Sequence, residues 1–129
     1  MLDAKIKSLA QGANYGTITT ILKDGSPVTH VMWVDADDDH FVINTEVHRA
    51  KFKNIQRDPR VSATVWDASD PYVYAEVRGR VVETVTGPEA REHIDTLSMK
   101  YRGRLYDPGA IRSERVILKI APERQRPPK

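Results

Sequence analysis

Six runs rich in β-branched and aromatic residues, five of them closed by Gly, Pro or Asp, constrain this chain more than any other feature. They are Tyr15–Leu22, Val28–Val34, His40–Thr45, Val61–Trp66, Tyr72–Val85 and Arg115–Ala121. Such runs fit a pleated, half-buried surface, and their spacing predicts strands. Asp24-Gly25, within the turn Lys23–Ser26, is a hairpin signal. Asp35–Asp39 and Asp67–Pro71 read as polar turns. The first three strands therefore form an antiparallel meander. Gly79 predicts a bend in the long fifth run.

Three segments follow the helical period instead. Residues 3–11 place Leu2, Ile6, Leu9 and Ala10 at helical spacing. His48–Gln56 carries Phe52 and Ile55 on one side and stops at Asp58-Pro59. Gly87-Pro88 opens a third helix that ends near Gly103. The closing segment 122–129 is a proline-rich basic tail, extended or disordered when alone. The plan is β-dominated α+β in a single domain, 1–129, with short flanking helices. Six antiparallel strands close most economically as a small barrel.

Composition removes several classes of function. The chain has 129 residues, 40% of them hydrophobic, and a net charge of +2. That is an ordinary globular balance and too little charge for a dedicated nucleic-acid binder. There is no cysteine, so disulfides, thiolate catalysis and cysteine-ligated metal are excluded. His30, His40, His48 and His93 form no pair at metal-ligand spacing, and no metal is expected. Apolar runs fall short of a membrane span, and the first twelve residues lack a signal-peptide core, so the expected location is the cytoplasm. No P-loop, dinucleotide glycine fingerprint or nucleophile elbow is present.

The charge is concentrated. Residues 49–60 hold Arg49, Lys51, Lys53, Arg57 and Arg60 against Asp58 alone, a net +4, which leaves the rest of the chain at −2. The run follows a strand and opens a helix, where unpaired N–H groups and basic side chains together suit a phosphate. A solvated basic face has the same composition. Asn44 and Thr45, just before it, offer neutral hydrogen bonds to an anion or cap the turn. Trp66, Tyr72 and Tyr74 form an aromatic group suited to a pocket, an interface or the core, and Trp33 is similar.

The ordered segments resemble a known family. They are Tyr15-Gly-Thr-Ile-Thr-Thr20, Asp24-Gly-Ser-Pro27, Phe41-Val-Ile-Asn-Thr45, and the run from Arg49 to Val61 with its Asn-Ile-Gln-Arg-Asp-Pro-Arg core. They continue with Glu76-Val-Arg-Gly-Arg-Val81, Leu97-Ser-Met-Lys-Tyr-Arg-Gly103 and Arg115–Arg124. The chain resembles the pyridoxamine 5'-phosphate oxidase-like split β-barrel superfamily. Within it, the short form is most similar to the actinobacterial branch that uses coenzyme F420, a deazaflavin hydride carrier.

The resemblance implies a six-stranded split barrel, a homodimer with two sites at its interface, and a small-molecule substrate. It places Arg49, Ala50 and Lys51 at the cofactor phosphate, with Asn44 and Thr45 beside them. It matches Val28, Thr29, His30 and Met32 to the strand that lines the ring system. Trp66, Pro71, Tyr72 and Tyr74 match the region that closes the pocket from the other subunit. The activity it implies is hydride transfer from F420H2 to a conjugated or planar organic substrate. An FMN-binding oxidoreductase of the same fold, or a non-catalytic carrier or sensor of flavin, F420 or tetrapyrrole, is the alternative.

Overall fold

A computed structural model describes all 129 residues. The elements run α1 (Ala4–Gln11), β1 (Tyr15–Ile21), β2 (Pro27–Trp33), β3 (Asp35–Ala36), β4 (Phe41–Glu46), α2 (Ala50–Arg57), β5 (Arg60–Asp67), β6 (Asp70–Val85), α3 (Pro88–Arg102) and β7 (Arg115–Arg126). The strands form one antiparallel sheet in the order β2-β1-β5-β6-β7-β4-β3. The sheet curls into a half-barrel. No helix is long and apolar enough to cross a membrane.

Four sequence expectations need correction. The first three expected strands do not form a meander: β2 pairs with β1 at one edge, while β4 lies between β7 and β3. The strand count is seven, because the expected turn at Asp35–Asp39 begins as the two-residue β3, paired with Phe41 and Val42. Asp35 tolerates this half-buried position because its carboxylate accepts hydrogen bonds from the Ala36 N–H and from His93. The expected turn ending at Pro71 is already strand from Asp70. The basic tail is also ordered for most of its length: β7 continues to Arg126, pairing Arg124 with Arg78 and Arg126 with Glu76. Pro122, which lacks an N–H, falls at a register shift opposite Gly79. There a Cβ on Gly79 would lie 1.9 Å from the Ala121 carbonyl oxygen, so only glycine fits.

The core fills one face of the curl. Ile18, Ala63, Val65, Ala75, Val77, Phe41, Ile43, Val116, Leu118 and Ile120 meet Leu2, Ile6 and Ala10 from α1 and its approach, and Ile55 from α2. A smaller cluster, Val42, Ala90 and Ile117, lies between α3 and the other face of β4 and β7. β4 is thus covered on both sides, and all six of its residues are buried. On the outer face of β2, β1, β5 and β6 only the end of α3 makes contact, through Tyr101 against Trp33 and Tyr15. There the sheet presents cross-strand threonines, with Thr19 bonded to Thr29 at 2.7 Å. An aromatic row runs across it in register: Trp33, Tyr15, Trp66 and Tyr74.

Candidate functional site

α2 begins against the usual rules. Its cap residue, Arg49, offers no side-chain acceptor, and its first turn contains no acid. The N–H groups of Ala50 and Lys51 find no acceptor in the chain. Helix N-termini favour negative charge, yet this one carries Arg49 and Lys51. Lys51 is only 7% exposed and forms no ion pair or hydrogen bond. Burial, followed by the charges of Arg49 and Arg115, holds its ammonium below the ordinary lysine value. A buried cation without a partner is costly unless an anion arrives.

These groups open on a cleft of about 350 Å³. Its basic side is formed by Arg49, Lys51 and Arg115, with Arg102 across from them, and no carboxylate lines it. Its aromatic side is Trp33, Tyr106 and Tyr15. Trp33 stacks on Tyr101 with ring centres 5.1 Å apart, lies edge-on to Tyr106 at 6.3 Å, and carries Arg102 over its face at 4.9 Å. Flat rings beside clustered cations make a surface for a planar ligand with an anionic end.

Glu46 is the internal counter-ion. It is fully buried, and one carboxylate oxygen accepts the N–H groups of Arg112 and Ser113 at 2.7 and 2.8 Å. The other lies 3.3 Å from Arg115 and 3.7 Å from Arg49. Burial pushes its carboxyl up, but the two backbone N–H bonds and Arg115 outweigh that and hold it below the ordinary value. Arg49, Lys51, Arg115 and Glu46 together carry +2.

The structure brings together Met32, Asn44, Thr45, Arg49 and Lys51 of the residues expected from sequence, and Ala50 adds its backbone N–H. Thr45 keeps its hydroxyl free of any bond within the chain. Asn44 lines the cleft, but its amide is fully engaged with Ala90, His93 and Arg115, so it is not a free donor to an anion. His30 is half-buried on the inner face of β2, with Nδ1 enclosed and unpartnered. Burial, then Lys51 and Arg49, disfavours its protonated form. Val28 and Thr29 lie outside the cleft lining; Thr29 instead points its hydroxyl to Thr19 on the outer face. Trp66, Pro71, Tyr72 and Tyr74 do not line the cleft within one chain. Tyr72 and Tyr74 border a separate hollow with Arg126, Pro127 and Lys129, and Tyr72 is 89% exposed.

Sequence reasoning missed Arg115, Tyr106 and Glu46. The available signal was Glu46 itself, an acid at the strand end that opens into five cations. Arg115 reaches the site because β7 pairs with β4 and sets Arg115 opposite Glu46.

Residues 2–127 match the sequence family described as pyridoxamine 5'-phosphate oxidase. A solved structure described as an F420 reductase is 31% identical, covers 97% of this chain and 98% of its own, and superposes with a TM-score of 0.82. A conserved hypothetical protein from Mycobacterium tuberculosis is 28% identical over 98% of this chain and 83% of its own, with a TM-score of 0.72. A pyridoxamine 5'-phosphate oxidase-related, FMN-binding protein from Nostoc punctiforme shares the fold at 15% identity, covering 88% of this chain and 72% of its own with a TM-score of 0.64.

Proposed function

The chain belongs to the pyridoxamine 5'-phosphate oxidase family, and on that premise we propose that it is an F420H2-dependent reductase of a conjugated or planar organic substrate. The observation that carries the reading is Lys51, a buried ammonium with no partner at a helix N-terminus that itself seeks an anion. Full-length similarity to an F420 reductase supports the choice of cofactor.

Bound deazaflavin would supply a two-electron hydride, so the protein needs neither nucleophile nor metal. The chain's own residues would bind, orient and exclude water. Lys51, Arg49, the free N–H groups of α2 and the Thr45 hydroxyl would hold the phosphate. Trp33, Tyr106 and Met32 would give the planar ring system its bed. The uncovered sheet face, with Trp66, Tyr72 and Tyr74, would seat a second copy of the chain and narrow the open cleft.

FMN is the second reading, favoured by one feature. A net +2 matches a dianionic monoester phosphate better than the single charge of a phosphodiester. Titrating cofactor-stripped protein with F420 and FMN side by side, followed by tryptophan fluorescence, decides between them, since Trp33 lines the cleft. Tight F420 binding, with F420H2 oxidised on adding an acceptor, supports the reductase. Tight FMN binding alone moves the assignment to a flavin enzyme or carrier, and binding of neither removes it.

A further inference from the structure

Arg115 is held by more than its counter-ion. Its Nε donates to Asn44 Oδ1 at 2.8 Å. Arginine is donor only, so this bond fixes which end of the Asn44 amide faces it. The Nδ2 end must then point the other way, where it donates to the Ala90 carbonyl at 3.0 Å and meets His93 Nδ1 at 3.0 Å. Because Nδ2 is a donor, His93 Nδ1 must be the bare nitrogen. The imidazole proton therefore sits on Nε2, which donates to Asp35 Oδ2 at 2.9 Å. Asp35 closes the series by accepting the Ala36 N–H at 2.9 Å. One unbroken direction of donation thus dictates the protonation state of every member.

We propose that Asp35, His93 and Asn44 are positioning residues that aim the Arg115 guanidinium at the cofactor's anionic group. The inference rests on the reading of the cleft as a cofactor site. The four side chains come from β3, α3, β4 and β7, and His93 and Arg115 are 15% and 7% exposed. Arg115 has more N–H groups than Asn44 and Glu46 use, and it lines the cleft. Those remaining N–H groups are what it offers a ligand. Their direction is set by a bond 2.8 Å long whose acceptor is oriented by α3, which covers the same face of the sheet.

A purely structural role, tying α3 to the sheet, would act on cofactor binding without regard to Arg115. The test therefore uses His93→Leu, His93→Asn, Arg115→Met and the His93→Leu/Arg115→Met double variant, titrated with F420 and with FMN. His93→Leu removes the acceptor for Asn44 and is expected to weaken binding about three- to tenfold, the range of one hydrogen bond. His93→Asn returns an amide oxygen near the Nδ1 position and is expected to recover most of that loss. In the Arg115→Met background, His93→Leu should add nothing. The same factor in both backgrounds, or an Asn variant no better than Leu, overturns the proposal.

A readout without ligand keeps the two claims separable. Nitrogen NMR of the wild type is expected to show His93 protonated on Nε2 and bare on Nδ1, with an Arg115 Nε–H signal that His93→Leu abolishes. The opposite tautomer, or an unchanged arginine signal, overturns the proposal. If the wild type binds neither F420 nor FMN, the proposed function falls, and these NMR results alone decide whether the chain of bonds orients Arg115.

Discussion

Two lysines in this molecule, Lys51 buried and Lys100 half-buried, have been treated in opposite ways. Lys100, near the end of α3, donates to the Val34 carbonyl at 2.6 Å and the Ala10 carbonyl at 3.1 Å. Asp35 lies close enough to favour its charge, although burial still lowers its pKa. Its neighbour Tyr101 bonds the Asn14 carbonyl, and burial first of all pushes its phenol up to about 12. Both side chains are bonded within the fold. Lys51, at the start of α2, is lowered by the same burial, but its charged neighbours are Arg49 and Arg115 and it donates to nothing. Burial alone therefore does not mark a functional cation. Burial without an acceptor, at a helix end that already prefers an anion, does.

The largest effect is expected at the carboxylate that keeps the cation cluster tolerable. Glu46→Ala removes a buried acceptor facing Arg115 and should cost about 3–5 kcal/mol of stability, read by urea unfolding. Loss of less than a surface mutation's effect would show that Glu46 is not the internal counter-ion. Lys100→Met comes next. It strands the Ala10 carbonyl and leaves the Val34 carbonyl to Tyr101 alone, and should cost roughly 1–3 kcal/mol while leaving F420 affinity unchanged. A clear loss of affinity would erase the contrast between the lysines.

A smaller effect is expected from alkaline pH. The protonated form of Lys51 binds the anion, so its contribution is present below its pKa and is lost as pH rises through it. Because that pKa is lowered from 10.5, affinity should start to fall before an ordinary lysine would titrate, and Lys51→Arg should abolish the fall. A flat wild-type profile contradicts this. The smallest effect belongs to the exposed ion pair between β6 and β7, Arg80 with Glu123 at 3.2 Å. Arg80→Ala should change stability by no more than about 1 kcal/mol, and a larger loss in the thermal unfolding profile would mean that this pair is not the exposed contact described.

Most of the fold was legible because its punctuation is local. Asp24-Gly25 makes the first hairpin, with Gly25 at φ 89°, and Gly79 marks a real register shift in β6. β3 was hidden because four of the five residues Asp35–Asp39 are aspartates, and contact with the Ala36 N–H and with His93 makes the first of them acceptable in a strand. The ordered tail was hidden because its prolines signal extension, while its pairing partners lie on β6 more than forty residues earlier. The site divides similarly. Arg49, Lys51 and Thr45 could be read because they adjoin one strand–helix junction. Arg115 and Tyr106 could not, because β7 and the loop after α3 deliver them from some sixty residues away.

The central claim is that Lys51 is kept for a ligand and not for the fold. Lys51→Met tests it in one experiment, with thermal unfolding and F420 titration on the same preparation. The account predicts a ligand-free protein at least as stable as the wild type, since a partnerless buried charge has been removed, with affinity weakened by about 1.5–3 kcal/mol, the scale of a charge-assisted hydrogen bond. A variant that unfolds more easily yet binds F420 as tightly as the wild type would contradict it.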